Sequence, residues 1–292
     1  MLTSDVIKKI KRIEITTKHQ VQDLFSGQYH SVFKGQGIEF QEVREYIPGD
    51  DVRNIDWNVT ARYGFPYIKK YREERELSVM ILVDLSSSQK FGTAQKLKQE
   101  IAAEISAVLA FSAIQNNDKV GLLIFTDQIE KVISPQKGRY HVLRLIREVL
   151  YFHPRFQGTN LALALESADR MLNRRSIIFL ISDFIDTGYE KQLKIASRRH
   201  DIIGIRIKDP RERKLPRLGL VEMEDAETGQ QFTIDTSDPR LQRQFGLISY
   251  HQEEEWKRLT RQSGLDHIEI DTSQSYVNPL VKFFRGRAKR YR

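Results

Sequence analysis

The stretch LSVMILVDLSSSQKFG, Leu77–Gly92, decides the fold class of this chain. It begins as a continuous apolar run, which is typical of a strand buried on both faces of a parallel sheet. The run ends in Asp84, and Ser86, Ser87 and Ser88 follow it. A carboxylate and several hydroxyls at the end of a buried strand indicate that the sheet ends here in a polar site.

Further apolar runs follow, and helical patterns separate most of them. The helix after the strand Leu77–Asp84 is predicted over Ala94–Gln115. Later strands are predicted in DKVGLLIFTD, RSIIFLISDF, DIIGIRIKD and DHIEIDT. Strands that alternate with helices predict an α/β fold: a doubly wound, mostly parallel sheet with helices on both faces.

The pattern of the chain changes near residue 76. Residues 1–75 are predicted to hold an N-terminal helix, Leu2–Phe25, and a segment rich in glycine, charge and aromatics that packs on the main domain. Residues 76–292 are predicted to form the α/β domain, with a β-hairpin inserted at about 215–236 that turns at Glu227–Gly229. The extension also contains a predicted strand, Pro66–Arg72.

Composition excludes several classes of protein. The 292 residues contain no cysteine, which excludes a disulfide scaffold and thiolate metal sites. No apolar run approaches the roughly 20 residues that span a bilayer, and the start lacks the apolar block of a secretory signal. We therefore expect a cytoplasmic protein without membrane insertion. The net charge is +8, but no nucleic-acid motif accompanies the basic ends, so no nucleic acid is expected as a partner.

Oxygen-bearing side chains follow two predicted strands, and another lies in a predicted loop. Asp84, Ser86 and Ser88 follow the first strand, Asp183 follows IIFLIS, and Thr159 lies in a loop before a helix. Because the carboxyl ends of parallel strands form the ligand edge of such a sheet, these side chains are predicted to converge. The set suits a hard divalent cation, Mg²⁺ before Ca²⁺ or Mn²⁺. Taken alone, the acid and its alternating serines favour a polar turn in which the serines cap the next helix; Thr159 and Asp183 shift the interpretation to a metal site.

The same five residues resemble the metal-ion-dependent adhesion site of the von Willebrand factor A-type domain. That pattern is D-x-S-x-S, then a threonine, then an aspartate after a later strand. The resemblance implies a von Willebrand factor A-like fold in which Ser86, Ser88 and Thr159 bind the metal, and Asp84 and Asp183 act directly or through water. It also implies an open coordination position that a carboxylate of a partner protein fills.

A longer resemblance covers most of the chain. GQGIEFQEVREYIPGDDVRNIDWNVTAR, Gly35–Arg62, resembles the signature of the bacterial DUF58 family, as do EERELSVMILVDLSSS and DAETGQQ. The family is typically encoded beside MoxR-type AAA+ ATPases. The resemblance therefore implies an adaptor or co-chaperone of a MoxR-type AAA+ ATPase that acts on an unknown client protein during assembly or maturation of complexes.

The Gly35–Arg62 segment has two physical interpretations. It is either a structural clasp held by Arg–carboxylate pairs, or a docking surface in which an exposed Trp57 and arginines contact a partner. A second metal site formed by three of its aspartates is not favoured, because Arg53 would compete for these acids. The aspartates are Asp50, Asp51 and Asp56.

Two alternative functions remain: a Mg²⁺-dependent phosphatase-like hydrolase, and a nucleic-acid-binding protein that uses the basic termini. Phosphatases with an aspartate nucleophile need a second acid two residues later, where this chain has Ser86. The sequence also lacks G-x-S-x-G, H-E-x-x-H and G-x-x-x-x-G-K-[ST] motifs. We therefore expect no enzymatic activity.

Overall fold

The computed structural model describes residues 10, 12–17, 37–74, 77–90, 96–212, 215–224 and 230–290. The chain divides into two compact units, Phe33–Leu77 and a larger unit built on a six-stranded sheet. Residues 10 and 12–17 are helical and belong to the larger unit, whereas the rest of the predicted helix Leu2–Phe25 lies outside the described residues. The predicted division into 1–75 and 76–292 stays a prediction.

The smaller unit is an antiparallel strand pair with a short helix between the strands in the chain. Its elements are β1 (Gly37–Glu45), α1 (Trp57–Tyr63) and β2 (Tyr67–Glu74). The carboxylate of Asp56 begins α1 by accepting the N–H groups of Asn58 and Val59 at 3.0 and 3.3 Å, and Gly64 ends it in the left-handed conformation. The sequence did not predict α1, because a helix this short shows no clear apolar period.

The described part of the larger unit adds further strands. They are β3 (Ser78–Asp84), β4 (Lys119–Phe125), β5 (Ile129–Gln136), β6 (Ile177–Ser182), β7 (Asp201–Lys208), β8 (Leu220–Glu224), β9 (Gln231–Asp235) and β10 (Asp266–Asp271). The main sheet has the order β10-β7-β6-β3-β4-β5, and every neighbouring pair is parallel except β4 with the edge strand β5. The order reverses between β3 and β6, as in doubly wound sheets.

Helices cover both faces of this sheet. They are α2 (Lys98–Gln115), α3 (Arg139–Tyr151), α4 (Leu161–Met171), α5 (Glu190–Arg199), α6 (Pro239–Ser263) and α7 (Val277–Arg290). Residues of α4, α5 and α6 share one buried cluster with Met80 and Leu82 of β3. The alternate residue Ile81 faces the other side, where α2 packs on β3 and β4 and α3 packs on α2. The predicted α/β fold class, a doubly wound and mostly parallel sheet with helices on both faces, is confirmed.

Helix α2 begins later than the sequence predicted. The predicted start, Ala94, lies outside the described residues, and Leu97 still has an extended backbone with ψ 153°. The Glu100 carboxylate accepts the Leu97 N–H at 3.3 Å, which fixes the start of the helix at Lys98. The side chain of Lys98 therefore belongs to the first turn of a buried helix.

The inserted hairpin consists of β8 and β9, which pair antiparallel from Leu220 with Asp235 to Glu224 with Gln231. Its predicted turn, Glu227–Gly229, lies outside the described residues. Within the described ranges, no helix combines the length and the apolar character that crossing a membrane requires.

Candidate metal centre

Asp84 is the last residue of β3, and it is buried at the carboxyl edge of the sheet. Its Oδ1 accepts the Ser86 N–H at 2.9 Å, and its Oδ2 accepts the Ser182 hydroxyl at 2.6 Å. Burial and the neighbouring charge of Asp183 raise the pKa of Asp84 to about 7, although both serines favour the ionised form. A buried acid whose pKa is raised in this way is short of positive charge, which a bound cation would supply.

The hydroxyls of Ser86 and Ser88 lie together beside this acid. Their Oγ atoms are 3.0 Å apart, as their alternating positions after Asp84 predicted. Ser87, which the prediction left out, donates its N–H to the Gln157 carbonyl at 2.9 Å. This hydrogen bond joins the turn after β3 to the loop that precedes α4.

That loop carries Thr159. The next residue, Asn160, caps α4 by accepting the Leu163 N–H at 2.8 Å, and Asp186 accepts the Leu161 N–H at 2.7 Å. Because Asn160 forms this cap, the start of α4 does not depend on the Thr159 hydroxyl.

Asp183 follows β6, the strand that pairs with β3, and is 2% exposed. Its Oδ2 accepts the Lys98 ammonium at 3.1 Å, and its Oδ1 accepts the Ile185 N–H at 3.3 Å. The Arg206 Nε–H donates to the Asp183 carbonyl at 3.2 Å. The second acid of the site is thus fixed in place, and one of its oxygens already has a cationic partner.

The chain turns sharply directly after Asp183. Phe184 has a left-handed backbone with φ 59°, a conformation that costs a bulky residue about 1–3 kcal/mol. Its ring packs on Trp256 with a centroid distance of 4.5 Å, and its N–H donates to the Ser182 hydroxyl at 3.0 Å. These contacts hold the strained turn and connect it, through Ser182, to Asp84.

The donor types at this edge fit a hard divalent cation. Asp84, Ser86 and Ser88 present oxygen atoms on one turn, and Asp183 interacts with Asp84 as a like charge. For Thr159 the structure shows only that its loop is joined to this turn, so its role as a ligand stays a prediction. Within the described ranges, no cluster of three or more His, Asp or Glu residues is placed to hold a metal, whereas the predicted set has two acids and three hydroxyls.

Sequence reasoning missed three residues: Ser182 and Lys98, which contact the site acids, and Glu212, which contacts Lys98. Ser182 binds Asp84, and Lys98 binds both Asp183 and Glu212. A polar residue at the end of the apolar run IIFLIS was a signal for Ser182. The signal for Lys98 was its position three residues before Ile101, on the buried stripe of α2.

Lys98 is charged although it is completely buried. Burial alone would lower its pKa, but the carboxylates of Asp183 and Glu212 outweigh burial and raise the pKa of Lys98 above its usual value. The candidate metal centre therefore contains an ammonium group of the protein itself.

The aspartates of the smaller unit have separate roles and do not form a second site. Asp50 accepts both terminal nitrogens of Arg44, at 2.7 and 2.9 Å, which lowers the pKa of Asp50. Asp51 accepts the Arg53 N–H at 3.0 Å, and Asp56 caps α1. These acids are therefore occupied, and the cation that pairs with Asp50 is Arg44 rather than the Arg53 that the sequence suggested.

Both interpretations of the Gly35–Arg62 segment find support in the described residues. The Arg44–Asp50 pair matches the clasp. Trp57, however, is 69% exposed, and Tyr63 and Phe65 are exposed nearby in the chain, as the docking interpretation requires.

Several proteins are similar to this chain. An uncharacterized protein of Mycobacterium tuberculosis is 30% identical over 285 residues, which cover 96% of this chain and 89% of that protein. The uncharacterized protein YeaD of Bacillus subtilis is 27% identical over 146 residues, which cover 48% of this chain and 32% of YeaD.

Two solved structures are also similar. The conserved hypothetical protein BatB from Bacteroides thetaiotaomicron is 18% identical, with a TM-score of 0.48, over 73% of this chain and 99% of BatB. The von Willebrand factor A domain of SpRpn10 is 15% identical, with a TM-score of 0.41, over 70% of this chain and 94% of that domain. Residues 42–255, which are most of the chain, match the family described as protein of unknown function DUF58. The chain therefore belongs to the DUF58 family, as the Gly35–Arg62 signature predicted.

Proposed function

We propose that this chain is a metal-dependent protein-interaction module that serves as an adaptor or co-chaperone of a MoxR-type AAA+ ATPase. The observation that carries the proposal is the pair of buried acids, Asp84 and Asp183, at the point where the strand order reverses. The hydroxyls of Ser86 and Ser88 lie beside this pair. The von Willebrand factor A-like fold is consistent with a role in protein interaction.

The residues present suit a resident cation with one open position. Asp84, Ser86 and Ser88 would hold Mg²⁺, with Thr159 and Asp183 acting directly or through water. The bound ion would supply a Lewis-acid position that a carboxylate of a partner protein completes. The protein's own contribution is to keep these oxygens fixed and largely buried, so that they need little rearrangement on binding.

We propose further that the chain is not an enzyme. A phosphatase with a nucleophilic aspartate also needs an acid–base partner two residues later in the chain. Ser86 stands where a phosphatase would have its second acid. Phosphatase turnover with Mg²⁺ that disappears in Asp84→Asn would contradict this.

The partner follows from the family resemblance. DUF58 chains are typically encoded beside MoxR-type ATPases, so the ATPase would supply the energy and this chain would present the client protein. The interaction that we assign to the metal centre is recognition of an acidic side chain, since an open position on a hard cation prefers oxygen ligands.

The test is a pull-down of the full chain with its neighbouring MoxR-type ATPase, with Mg²⁺ or with EDTA. We expect wild type to retain the ATPase in Mg²⁺ and to lose most of it in EDTA, and Asp84→Ala to lose it in both. The matched control is Asp209→Asn, which changes an equally buried acid at the end of β7 that binds the Thr272 hydroxyl at 2.7 Å. Asp209→Asn should retain the ATPase.

Circular dichroism establishes that each variant is folded before the pull-down. Retention of the ATPase by wild type in EDTA and by Asp84→Ala would overturn the metal-dependent role. Equal loss in Asp84→Ala and Asp209→Asn would show that any disturbance of this edge weakens the contact, which would also contradict the proposal.

A further inference from the structure

The candidate metal centre contains a lysine that its metal-site pattern does not require. Lys98, the first residue of α2, is completely buried. Its ammonium lies 3.1 Å from Asp183 Oδ2 and also contacts the Glu212 carboxylate. Lys98 thus places a positive charge of the protein beside an acid that we assign to the metal.

The position of Lys98 is too costly to be accidental. A buried ammonium is stable only when it is paired and its hydrogen bonds are satisfied. Both of its carboxylate partners are far away in the chain, at sequence separations of 85 residues for Asp183 and 114 for Glu212. The fold therefore brings three segments together to accommodate this one charge.

Glu212 connects Lys98 to the next strand end. It lies in a short 3-10 helix, Pro210–Glu212, directly after β7, and its Oε2 accepts the Asp209 N–H at 3.0 Å. Lys98 consequently bridges the site acid Asp183 and the segment after β7. Glu212 offers the ammonium a second partner whenever Asp183 is engaged elsewhere.

A divalent cation held by Asp84 and Asp183 would share Asp183 with this ammonium. Both are positive, and both would draw on the negative charge of Asp183. Like charges near each other in a protein interior repel strongly enough to change a binding affinity by about tenfold or more. The ammonium therefore opposes the metal as long as it stays on Asp183.

We propose that Lys98 is a built-in counter-cation that competes with the divalent metal for Asp183 and so lowers the metal affinity of the site. The inference rests on the metal centre proposed above and concerns its regulation. Without metal, Lys98 binds both Asp183 and Glu212. A metal that engaged Asp183 would leave Glu212 as the carboxylate partner of Lys98.

A purely structural lysine predicts a different result. If Lys98 only stabilises the fold, its loss lowers stability and leaves metal affinity unchanged or weaker. If Lys98 competes with the metal, its loss lowers stability without metal but tightens metal binding. Affinity and stability then move in opposite directions, which separates the two roles.

The experiment is isothermal titration of the full chain with MnCl₂, for wild type and Lys98→Met. We expect Lys98→Met to bind Mn²⁺ at least about tenfold more tightly, because one opposing unit charge is removed. The matched control is Lys208→Met, which removes another buried ammonium at the same edge, one that pairs with Glu253 and Glu269. Lys208→Met should bind Mn²⁺ within about twofold of wild type, since its partners are not site acids.

Glu212→Gln supplies a second variant in case Lys98→Met does not fold. This variant removes one of the two carboxylates that Lys98 contacts, so the ammonium should stay on Asp183. Mn²⁺ should therefore bind several times more weakly than to wild type. In the double variant Lys98→Met/Glu212→Gln this weakening should largely disappear, because Glu212 acts through the ammonium. Equal weakening in the presence and absence of Lys98 would overturn the inference.

Asp84→Asn separates the failure of this inference from the failure of the metal centre. Wild-type binding that Asp84→Asn abolishes, together with unchanged affinity in Lys98→Met, would overturn the competition and leave the metal centre standing. Binding of Mn²⁺ to neither wild type nor Lys98→Met would overturn both. Binding to Lys98→Met alone would support the inference in its strongest form.

Discussion

The two halves of the carboxyl edge of the sheet compensate their charges differently. At the ends of β7 and β10, Lys208 lies 3.3 Å from Glu253 and 2.7 Å from Glu269, and Arg206 lies 3.1 Å from Glu253. At the ends of β3 and β6, Lys98 pairs with Asp183 at 3.1 Å, but the hydrogen bonds to Asp84 come from a neutral hydroxyl and a backbone N–H.

The pKa values of the two halves move in opposite directions. Burial would raise the pKa of Glu269, but Lys208 and Arg206 outweigh it and lower the pKa. Burial and Asp183 raise the pKa of Asp84. The comparison teaches that acids at one sheet edge differ in how far the protein compensates them: Glu269 has cationic partners, whereas the charge of Asp84 is left unfavourable.

Lys208→Met should lower stability by the largest amount, because it removes a cation that compensates the acids at the ends of β7 and β10. Removing the buried Lys208 ammonium weakens the compensation of two carboxylates, but both are partly exposed and Arg206 still contacts Glu253, so the free energy of unfolding should fall by about 2 kcal/mol. Urea denaturation monitored by circular dichroism measures this loss. The loss should be the same in EDTA and in Mn²⁺, because Glu253 and Glu269, the partners of Lys208, are not residues of the candidate metal centre.

Lys257→Met is the control for removing a lysine charge. Lys257 pairs with Glu254 at 2.9 Å on the exposed face of α6, and its loss should leave the denaturation midpoint unchanged. If Mn²⁺ restored the stability of Lys208→Met, the acids at the ends of β7 and β10 would also bind cations. The contrast with the ends of β3 and β6 would then be wrong.

Asp84→Asn should change stability in the opposite direction, at the ends of β3 and β6. In EDTA the substitution removes a buried charge without removing its shape, so unfolding should require about 1–2 kcal/mol more than in wild type. In Mn²⁺ the variant should lose the stabilisation that bound metal gives to wild type. Thermal denaturation of both proteins in both buffers measures the two effects.

Asp209→Asn tests whether the gain is specific to Asp84. Asp209 is equally buried and, like Asp84, accepts one hydroxyl and one backbone N–H, so a gain that comes from the charge of Asp183 beside Asp84 should not appear in Asp209→Asn. A loss of stability in Asp84→Asn in EDTA would show that the charge of Asp84 is already compensated.

The sequence predicted the acids at the ends of β3 and β6 better than the lysine that pairs with one of them. Strands buried on both faces leave continuous apolar runs, and the acids that end them, Asp84 and Asp183, are therefore visible as interruptions. Lys98 was not predicted, because a lysine in the first turn of a helix is usually solvated, and its partners are distant in the chain. The helix α1 was missed because its start depends on the local cap of Asp56 rather than on a periodic pattern.

His200 extends the comparison to the opposite edge of the sheet. It precedes β7 and is 2% exposed; its Nδ1 accepts the Ser176 N–H at 3.3 Å, and its Nε2 lies 3.2 Å from Asp169 Oδ1. Burial lowers the pKa of His200, although Asp169 acts to raise it. The unfolded chain therefore binds this proton more strongly, and stability is complete above about pH 6.5 and falls as the pH drops below it.

Urea denaturation of wild type and His200→Asn between pH 8 and pH 5 isolates this contribution, which should reach about 1 kcal/mol at pH 5. The amide keeps an acceptor for Ser176, and the difference between the two proteins removes the contribution of Asp84, whose raised pKa acts in the opposite direction over the same range. His251→Asn, at an exposed position, should keep the wild-type profile.

Mn²⁺ should change none of these differences, because His200 has a single acid beside it, whereas the edge at Asp84 gathers two acids and adjacent hydroxyls. A metal effect on His200→Asn alone would show that one under-compensated group is enough to make a cation site, and the distinction drawn between the two edges would then be wrong.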